Sequence, residues 1–244
     1  MIPKIIHHTA PSDKSRWHGI WYECRQSWKD NFPRFEFKFW NDEDIRNLVK
    51  SDYSEFLEMY DNLPHHIMRV DFARFCMLHK YGGIYTDMDI YCYKNFYDNL
   101  VEDIYIVESW EEWGEIVQNS LMISTSNEDF WIECMRKSKE FYDNTIKTFS
   151  SYENLSHKIF IELCFKFAGP KLISEITQYY KKEVYLLPKK LFNPIIEHQF
   201  NWLLTNPEKT GKTLEHYKNL NSKEKLIYTR HYLTGDWTKD LINK

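Results

Sequence analysis

The chain is poor in the residues that interrupt structure: 7 Gly and 8 Pro in 244 residues. It is therefore no low-complexity or repeat-built segment. It has no surplus of positive charge, with 32 Lys and Arg against 36 Asp and Glu and a net charge of -4. That argues against a general nucleic-acid binder, which needs a basic surface to neutralise phosphates. It has no run of 18 apolar residues, and its opening MIPKIIHHT is too short and polar for a signal peptide. No Cys-x-x-Cys occurs. The five cysteines (Cys24, Cys76, Cys92, Cys134, Cys164) are scattered in apolar settings. They read as free buried thiols in a reducing compartment, not as a disulfide frame or a zinc site. The expectation is a cytoplasmic protein without a transmembrane segment, with peripheral attachment to a membrane surface left open.

What is abundant is core material. Hydrophobic residues make up 43% of the chain and aromatics 17%, with 17 Tyr, 16 Phe and 9 Trp. Rings fill cores before they serve as ligand platforms. The length suits one domain over residues 1–244.

Strands are expected at 3–9, 34–40, 83–90, 103–109, 119–125, 184–188 and 226–233. Helices are expected at 18–30, 41–50, 54–61, 64–81, 127–142, 156–167 and 170–182. Gly82 is expected to end the 64–81 helix in a left-handed conformation. Strands and helices alternate in the first half, which predicts an α/β sheet with parallel strands. The Asn-, Lys- and Thr-rich stretch 201–225 is the expected flexible segment.

Two Asp-x-Asp triplets invite comparison. Asp42-Glu43-Asp44 stands where a helix starts, and acids there satisfy open N–H groups and complement the dipole. Asp87-Met88-Asp89 follows Ile84-Tyr85-Thr86 and precedes Ile90-Tyr91-Cys92. On a strand, residues two apart point to one side, so both carboxylates would converge near its carboxyl end, where α/β folds bind ligands. Two such charges need a cation. Hard oxygen ligands suit Mn²⁺ or Mg²⁺. The alternative is a solvated turn past the strand.

The preceding helix adds to this. Ile67, Val70, Asp71, Arg74, Met77, Leu78 and Tyr81 share one stripe, and Asp71 and Arg74 interrupt its apolar run. They read either as an internal salt bridge or as the lining of a polar pocket. In the pocket reading Arg74 takes a phosphate or a sugar hydroxyl, and Asp71 accepts from hydroxyls. Arg69 lies on another side of the helix. His7-His8 and His65-His66 imitate metal pairs, but adjacent histidines on a strand face opposite ways, and the second pair opens a helix. Both read as packing or capping residues. Gly211-Lys212-Thr213 imitates a phosphate loop but has Asn206 where the upstream glycine belongs.

PKIIHHT, FKFWNDEDI and RVDFARFCMLHKYGGIYTDMDI together resemble the DxD-containing sugar transferases, a family that takes in initiating mannosyltransferases of yeast, bacterial capsule enzymes and the core of clostridial glucosylating toxins. The resemblance is strong over residues 2–96 and looser beyond, through Asn119, Ala168-Gly169-Pro170, Leu187-Pro188, Phe192-Asn193-Pro194, His231 and Trp237. It implies a GT-A fold, a Rossmann-like mixed sheet flanked by helices. Residues 1–96 would form the nucleotide-sugar half, and 97–244 the acceptor half with a C-terminal metal-ligand segment. It implies a nucleotide-diphosphate sugar donor, a UDP-hexose or GDP-mannose, and a glycan, glycolipid or protein acceptor. It implies a divalent metal, usually Mn²⁺, and retention of configuration. By position, Asp89 binds the metal, Asp87 helps hold it and contacts the donor, and His231 is the third ligand. Asp71, Arg74, Asn119, His7 and Trp237 fall on the donor side, and Asp87, Asp89 and Arg74 carry the catalysis.

The chain departs from the pattern in two places. Ala10 stands where many relatives carry a base-stacking Trp, leaving Trp17 or the backbone of residues 6–9 for that task. Asp236 precedes Trp237 where relatives often have Ser. A Mg²⁺-dependent phosphatase or phosphotransferase with Asp87 as nucleophile, and a catalytically silent sugar-nucleotide-binding module, are the rival readings.

Overall fold

The computed structural model describes residues 1–109, 114–148, 155–180, 183–194 and 227–232. The strands are β1 (Ile5–Thr9), β2 (Glu36–Trp40), β3 (Gly83–Thr86), β4 (Ile90–Cys92), β5 (Ile104–Glu108), β6 (Val117–Ser124), β7 (Val184–Leu187) and β8 (Thr229–His231). The helices are α1 (Gly19–Asn31), α2 (Asp42–Asp52), α3 (Leu57–Asp61), α4 (His66–Tyr81), α5 (Asp129–Asn144), α6 (His157–Phe167), α7 (Pro170–Tyr179) and α8 (Lys189–Phe192).

Six strands form one mixed sheet in the order β2-β1-β3-β6-β5-β7. β1 runs parallel to β2 and β3, β6 runs antiparallel to β3 and β5, and β7 is parallel to β5. The parallel expectation holds for the first three strands; β6 then reverses. Strand alternation sends side chains to two cores. Tyr85, Ile104, Ile106 and Met122 face the large cluster under α2 to α7. Ile6, Ile84, Tyr105, Val107, Leu121 and Ile123 face the smaller cluster that holds Trp28 and Phe32 of α1.

Local chemistry explains the elements around the site. Asn41 caps α2, its side chain accepting from the N–H groups of Glu43 and Asp44, and Asp44 returns a bond to the Asn41 N–H. α4 starts at His66, not Pro64, because the His65 ring accepts the Ile67 N–H at 3.3 Å. So His65 is a cap, as its place implied. α4 is buried on nearly every side, Phe72, Phe75 and Cys76 being wholly enclosed.

Its end requires two glycines. Gly82 has φ 61° and ψ -157°, a positive φ outside the left-handed helical region that was expected. Gly83 has φ 93°, and a Cβ there would lie 2.5 Å from the Ile5 carbonyl oxygen. β3 can lie beside β1 only without that side chain. Among the described residues, no helix is long and apolar enough to cross a membrane, and all five cysteines are buried and unpaired with one another.

Candidate active site

The expected strand 83–90 is two strands in different sheets. β3 stops at Thr86 and pairs with β6, while β4 starts at Ile90 and pairs with β8. Asp87, Met88 and Asp89 form the turn between them, closed by the Ile90 N–H on the Asp87 carbonyl at 3.2 Å. Strand alternation therefore does not aim the two carboxylates. The turn does, at the end of β3 and beside the start of β6, where the Asp87 N–H donates to the Ser120 carbonyl at 2.9 Å.

Asp87 is gripped from α4 and from its own strand. Arg74 Nη2 lies 3.1 Å from Asp87 Oδ1, and the Tyr85 hydroxyl donates to the same oxygen at 2.7 Å. Thr9 of β1 meets the Tyr85 hydroxyl at 3.0 Å, and the Arg74 guanidinium sits 4.8 Å above the Tyr85 ring. Arg74 Nη1 also reaches Asp71 Oδ1 at 3.1 Å and the Asn119 carbonyl at 2.9 Å. Asn119 closes the circle by donating from Nδ2 to Asp71 Oδ1 at 3.2 Å. The internal salt bridge and the polar pocket are thus one object: a network of Asp71, Arg74, Asp87, Asn119 and Tyr85.

The side chains of Asp71 and Arg74 are 6% exposed and that of Asp87 is 22% exposed. Burial pushes the Asp71 carboxyl up to about 7; Arg74 opposes the shift and Asp87 adds to it. Burial likewise leads in holding Asp87 above the usual carboxylate range. Burial works against the charge of Arg74, but Asp87, Tyr85 and Asp71 outweigh it and keep the guanidinium cationic. Arg74 Nε is buried without a protein partner, a donor that a ligand oxygen would satisfy.

Asp89 meets the far end of the chain. β8 pairs antiparallel with β4, and His231 Nε2 lies 3.1 Å from Asp89 Oδ1. Burial disfavours charge on His231, yet Asp89 outweighs it and raises the imidazole above its ordinary value. His231 Nδ1 is buried with no hydrogen-bond partner. Ligand atoms of Asp87, Asp89 and His231 all lie within 4.8 Å of one another. Two carboxylates and one imidazole form a donor set of the type that takes Mn²⁺ or Mg²⁺, and the clustered acids supply the charge that such an ion neutralises. The residues fit a divalent metal.

Of the residues assigned from sequence, Asp71, Arg74, Asp87, Asp89, Asn119 and His231 come together here. His7 does not join them. Trp40 Nε1 donates to its Nδ1 at 3.0 Å, and its Nε2 donates to the Gly82 carbonyl at 2.8 Å. Burial lowers its pKa to about 4, so it is a neutral brace between β1, β2 and the end of α4. Trp17 is also committed to packing: it is 8% exposed, lies against Phe39, and donates from Nε1 to the Pro11 carbonyl. Arg69 binds the Leu63 carbonyl at 2.7 Å. Trp237 and Asp236 lie outside the described residues, as does the stretch 201–225. Tyr85 and Thr9 are the members that sequence reasoning missed. The signal for Tyr85 was its place two residues before Asp87, within reach of it across the end of β3.

Two clefts, of about 360 Å³ and 400 Å³, lie elsewhere. One is lined by residues such as Lys4, Phe35 and Tyr97, the other by residues such as Lys38, Trp40 and Tyr81. Neither includes a residue of the network.

Comparison with known proteins gives a consistent picture. Residues 20–111 match the family described as glycosyltransferase sugar-binding region containing DXD motif. Inositol phosphoceramide mannosyltransferase 3 of Schizosaccharomyces pombe is 41% identical over 93 residues, 37% of this chain and 25% of that protein. Mannosyl phosphorylinositol ceramide synthase SUR1 of Saccharomyces cerevisiae is 30% identical over 182 residues, 75% of this chain and 43% of that protein. The chain thus spans less than half the length of these two relatives. Among solved structures, the PaToxG glycosyltransferase superposes with a TM-score of 0.55 at 16% identity, over 73% of this chain and 70% of that one. That likeness bears out the expected GT-A fold.

Proposed function

With this chain placed among the DXD-containing glycosyltransferases, we propose that it moves a hexose from a nucleotide-diphosphate sugar to a glycan, glycolipid or protein acceptor, retaining anomeric configuration with the help of Mn²⁺ or Mg²⁺. The observation that carries the proposal is the meeting of Asp87, Asp89 and His231 beside the buried Arg74 network. A nucleotide diphosphate leaves slowly until its charge is neutralised. The metal, when bound, supplies that neutralisation as a Lewis acid.

The protein's own part is to hold the ligands. Asp87, Asp89 and His231 would hold the metal. Arg74 keeps Asp87 in place and offers Nε to a donor phosphate or sugar hydroxyl. Asp71 and Asn119 hold Arg74 and line the donor sugar's side. By the resemblance Trp237, which lies outside the described residues, belongs to the donor side. In this reading residues 1–96 bind the donor, and 97–244 serve the acceptor and return His231 to the metal. Retention proceeds by front-face attack, the leaving phosphate oxygen taking the acceptor proton; a trapped covalent glycosyl-enzyme would contradict that path. All five cysteines are buried, which supports a reducing compartment such as the cytoplasm.

The two curated relatives are named for mannosyl transfer and for inositol phosphoceramide or phosphorylinositol ceramide. GDP-mannose therefore heads the donors to try, followed by UDP-hexoses, and an inositol-phosphate glycolipid heads the acceptors.

The test is release of nucleotide diphosphate from a panel of nucleotide sugars, with Mn²⁺, Mg²⁺ or chelator. Release from one donor, lost with chelator, is expected. No release from any donor, together with no metal-dependent donor binding by calorimetry, would sink the proposal.

A further inference from the structure

Strand β8 has two edges, and they are held by different means. Its inner edge pairs with β4. Ile90 and His231 face each other in that ladder, flanked by the bond from the Tyr232 N–H to the Asp89 carbonyl at 2.9 Å. In an antiparallel ladder the residues next to such a bond turn their own N–H groups the other way. The His231 N–H accordingly points to the outer edge. There it donates to Asn193 Oδ1 at 3.3 Å.

Asn193 follows α8 and is 2% exposed. Its Nδ2 donates to Gln118 Oε1 at 2.7 Å. Gln118 lies on β6, is itself buried, and donates from Nε2 to the Glu108 carbonyl at 2.7 Å. A relay of two side-chain amides thus runs from the main sheet to the backbone of His231. Two further bonds tie β8 and its approach to the same segment: Thr229 Oγ1 donates to the Phe192 carbonyl at 2.6 Å, and the Tyr228 N–H to the Leu191 carbonyl at 2.8 Å.

We infer that Asn193 is a positioning residue for the metal centre: among the described residues it bonds the outer edge of β8 where a neighbouring strand would, and so fixes His231 against Asp89. The inference rests on the metal reading proposed above. Its physical basis is that a ladder of three residues on each of two strands is marginal alone. A third partner then decides whether the imidazole stays within reach of the carboxylates. The task calls for an amide. Asn193 must accept from the His231 N–H and donate to Gln118 at once, which neither a carboxylate nor an apolar side chain can do.

The experiment is a Mn²⁺ titration, free ion read by electron paramagnetic resonance, on the full chain and four variants: Asn193→Leu, His231→Gln, the two combined, and Gln118→Met. Asn193→Leu should weaken Mn²⁺ binding by about 10- to 100-fold, the range for partners that orient a metal ligand. In the His231→Gln background the same change should shift affinity by less than about 2-fold, because its effect passes through His231. Equal losses in both backgrounds would overturn the inference, as would an unchanged affinity in Asn193→Leu. Should Asn193→Leu fail to fold, Gln118→Met removes the acceptor of Asn193 and must show the same dependence on His231; equal losses there would also overturn it. Failure of the unaltered protein to bind Mn²⁺ would remove the metal reading and this inference together, an outcome distinct from the others.

Discussion

The chain holds two Asp-x-Asp triplets, and they meet opposite fates. Asp42-Glu43-Asp44 opens α2. All three residues face water, and Asp44 accepts the Asn41 N–H at 3.2 Å. Their charges are compensated by backbone N–H groups and the helix dipole. Asp87-Met88-Asp89 fills a turn between two sheets. Its first acid is held by Arg74 and Tyr85, and its second, 6% exposed, by His231. The same letters at the same spacing thus serve as a helix cap in one place and form a candidate cation site in the other. What separates them is the source of compensating charge: local backbone for the first, side chains from α4 and β8 for the second. A burial cost that local backbone cannot offset marks the triplet that needs a partner.

The largest expected effect of breaking this contrast comes from Asp89→Asn. It should lower metal-dependent turnover at least about 100-fold and weaken Mn²⁺ binding, as loss of a direct ligand demands. Steady-state kinetics and a Mn²⁺ titration check it.

Next is Arg74→Met. Removing one partner from a buried charged network costs roughly 3–5 kcal/mol, because Asp71 and Asp87 are left facing each other. Arg46→Met is the control, since Arg46 and Asp61 form an exposed pair with side chains 47% and 37% exposed. It should cost less than about 1 kcal/mol. Urea midpoints of both variants decide between them.

The pH dependence of stability is third. Asp71 has its folded pKa raised to about 7. The folded state therefore keeps a proton that the unfolded chain has lost, and in the metal-free protein stability falls as pH rises from about 4 towards 7. The slope from this group is at most about 1.4 kcal/mol per pH unit. Asp71→Asn should flatten it; an unchanged slope would show that Asp71 is already ionised across this range.

The smallest effect is that of Asp44→Ala. It removes one cap bond and one dipole contact, worth roughly 0.3–1 kcal/mol, and should leave Mn²⁺ affinity unchanged.

Much of this architecture is written locally. The stripe of α4, the caps at Asn41 and His65, and the glycine pair where α4 passes into β3 depend on neighbours a few residues away, so spacing and residue type reveal them. The break between β3 and β4 was hidden, because Ile84 to Ile90 reads as one apolar run interrupted by acids. Only the arrival of β8 on β4 draws the second piece into another sheet. His231 was found by resemblance, not by local pattern; nothing around it announces that it will face Asp89. Tyr85 reaches Asp87 two residues away but is also met by Thr9 from β1, and the contacts of Asn193 with Gln118 and His231 are all distant in sequence. His7 shows the converse. Its place in the first strand resembled a donor contact, and the fold spends both ring nitrogens on packing.

The most direct test of the contrast between the triplets is one Mn²⁺ titration of three proteins: the unaltered chain, Asp89→Asn and Asp44→Asn. Saturable binding that survives Asp44→Asn and collapses in Asp89→Asn is the predicted result. Binding that is absent from the unaltered chain, or that ignores Asp89→Asn, would contradict the assignment of residues 87–89 as the metal centre.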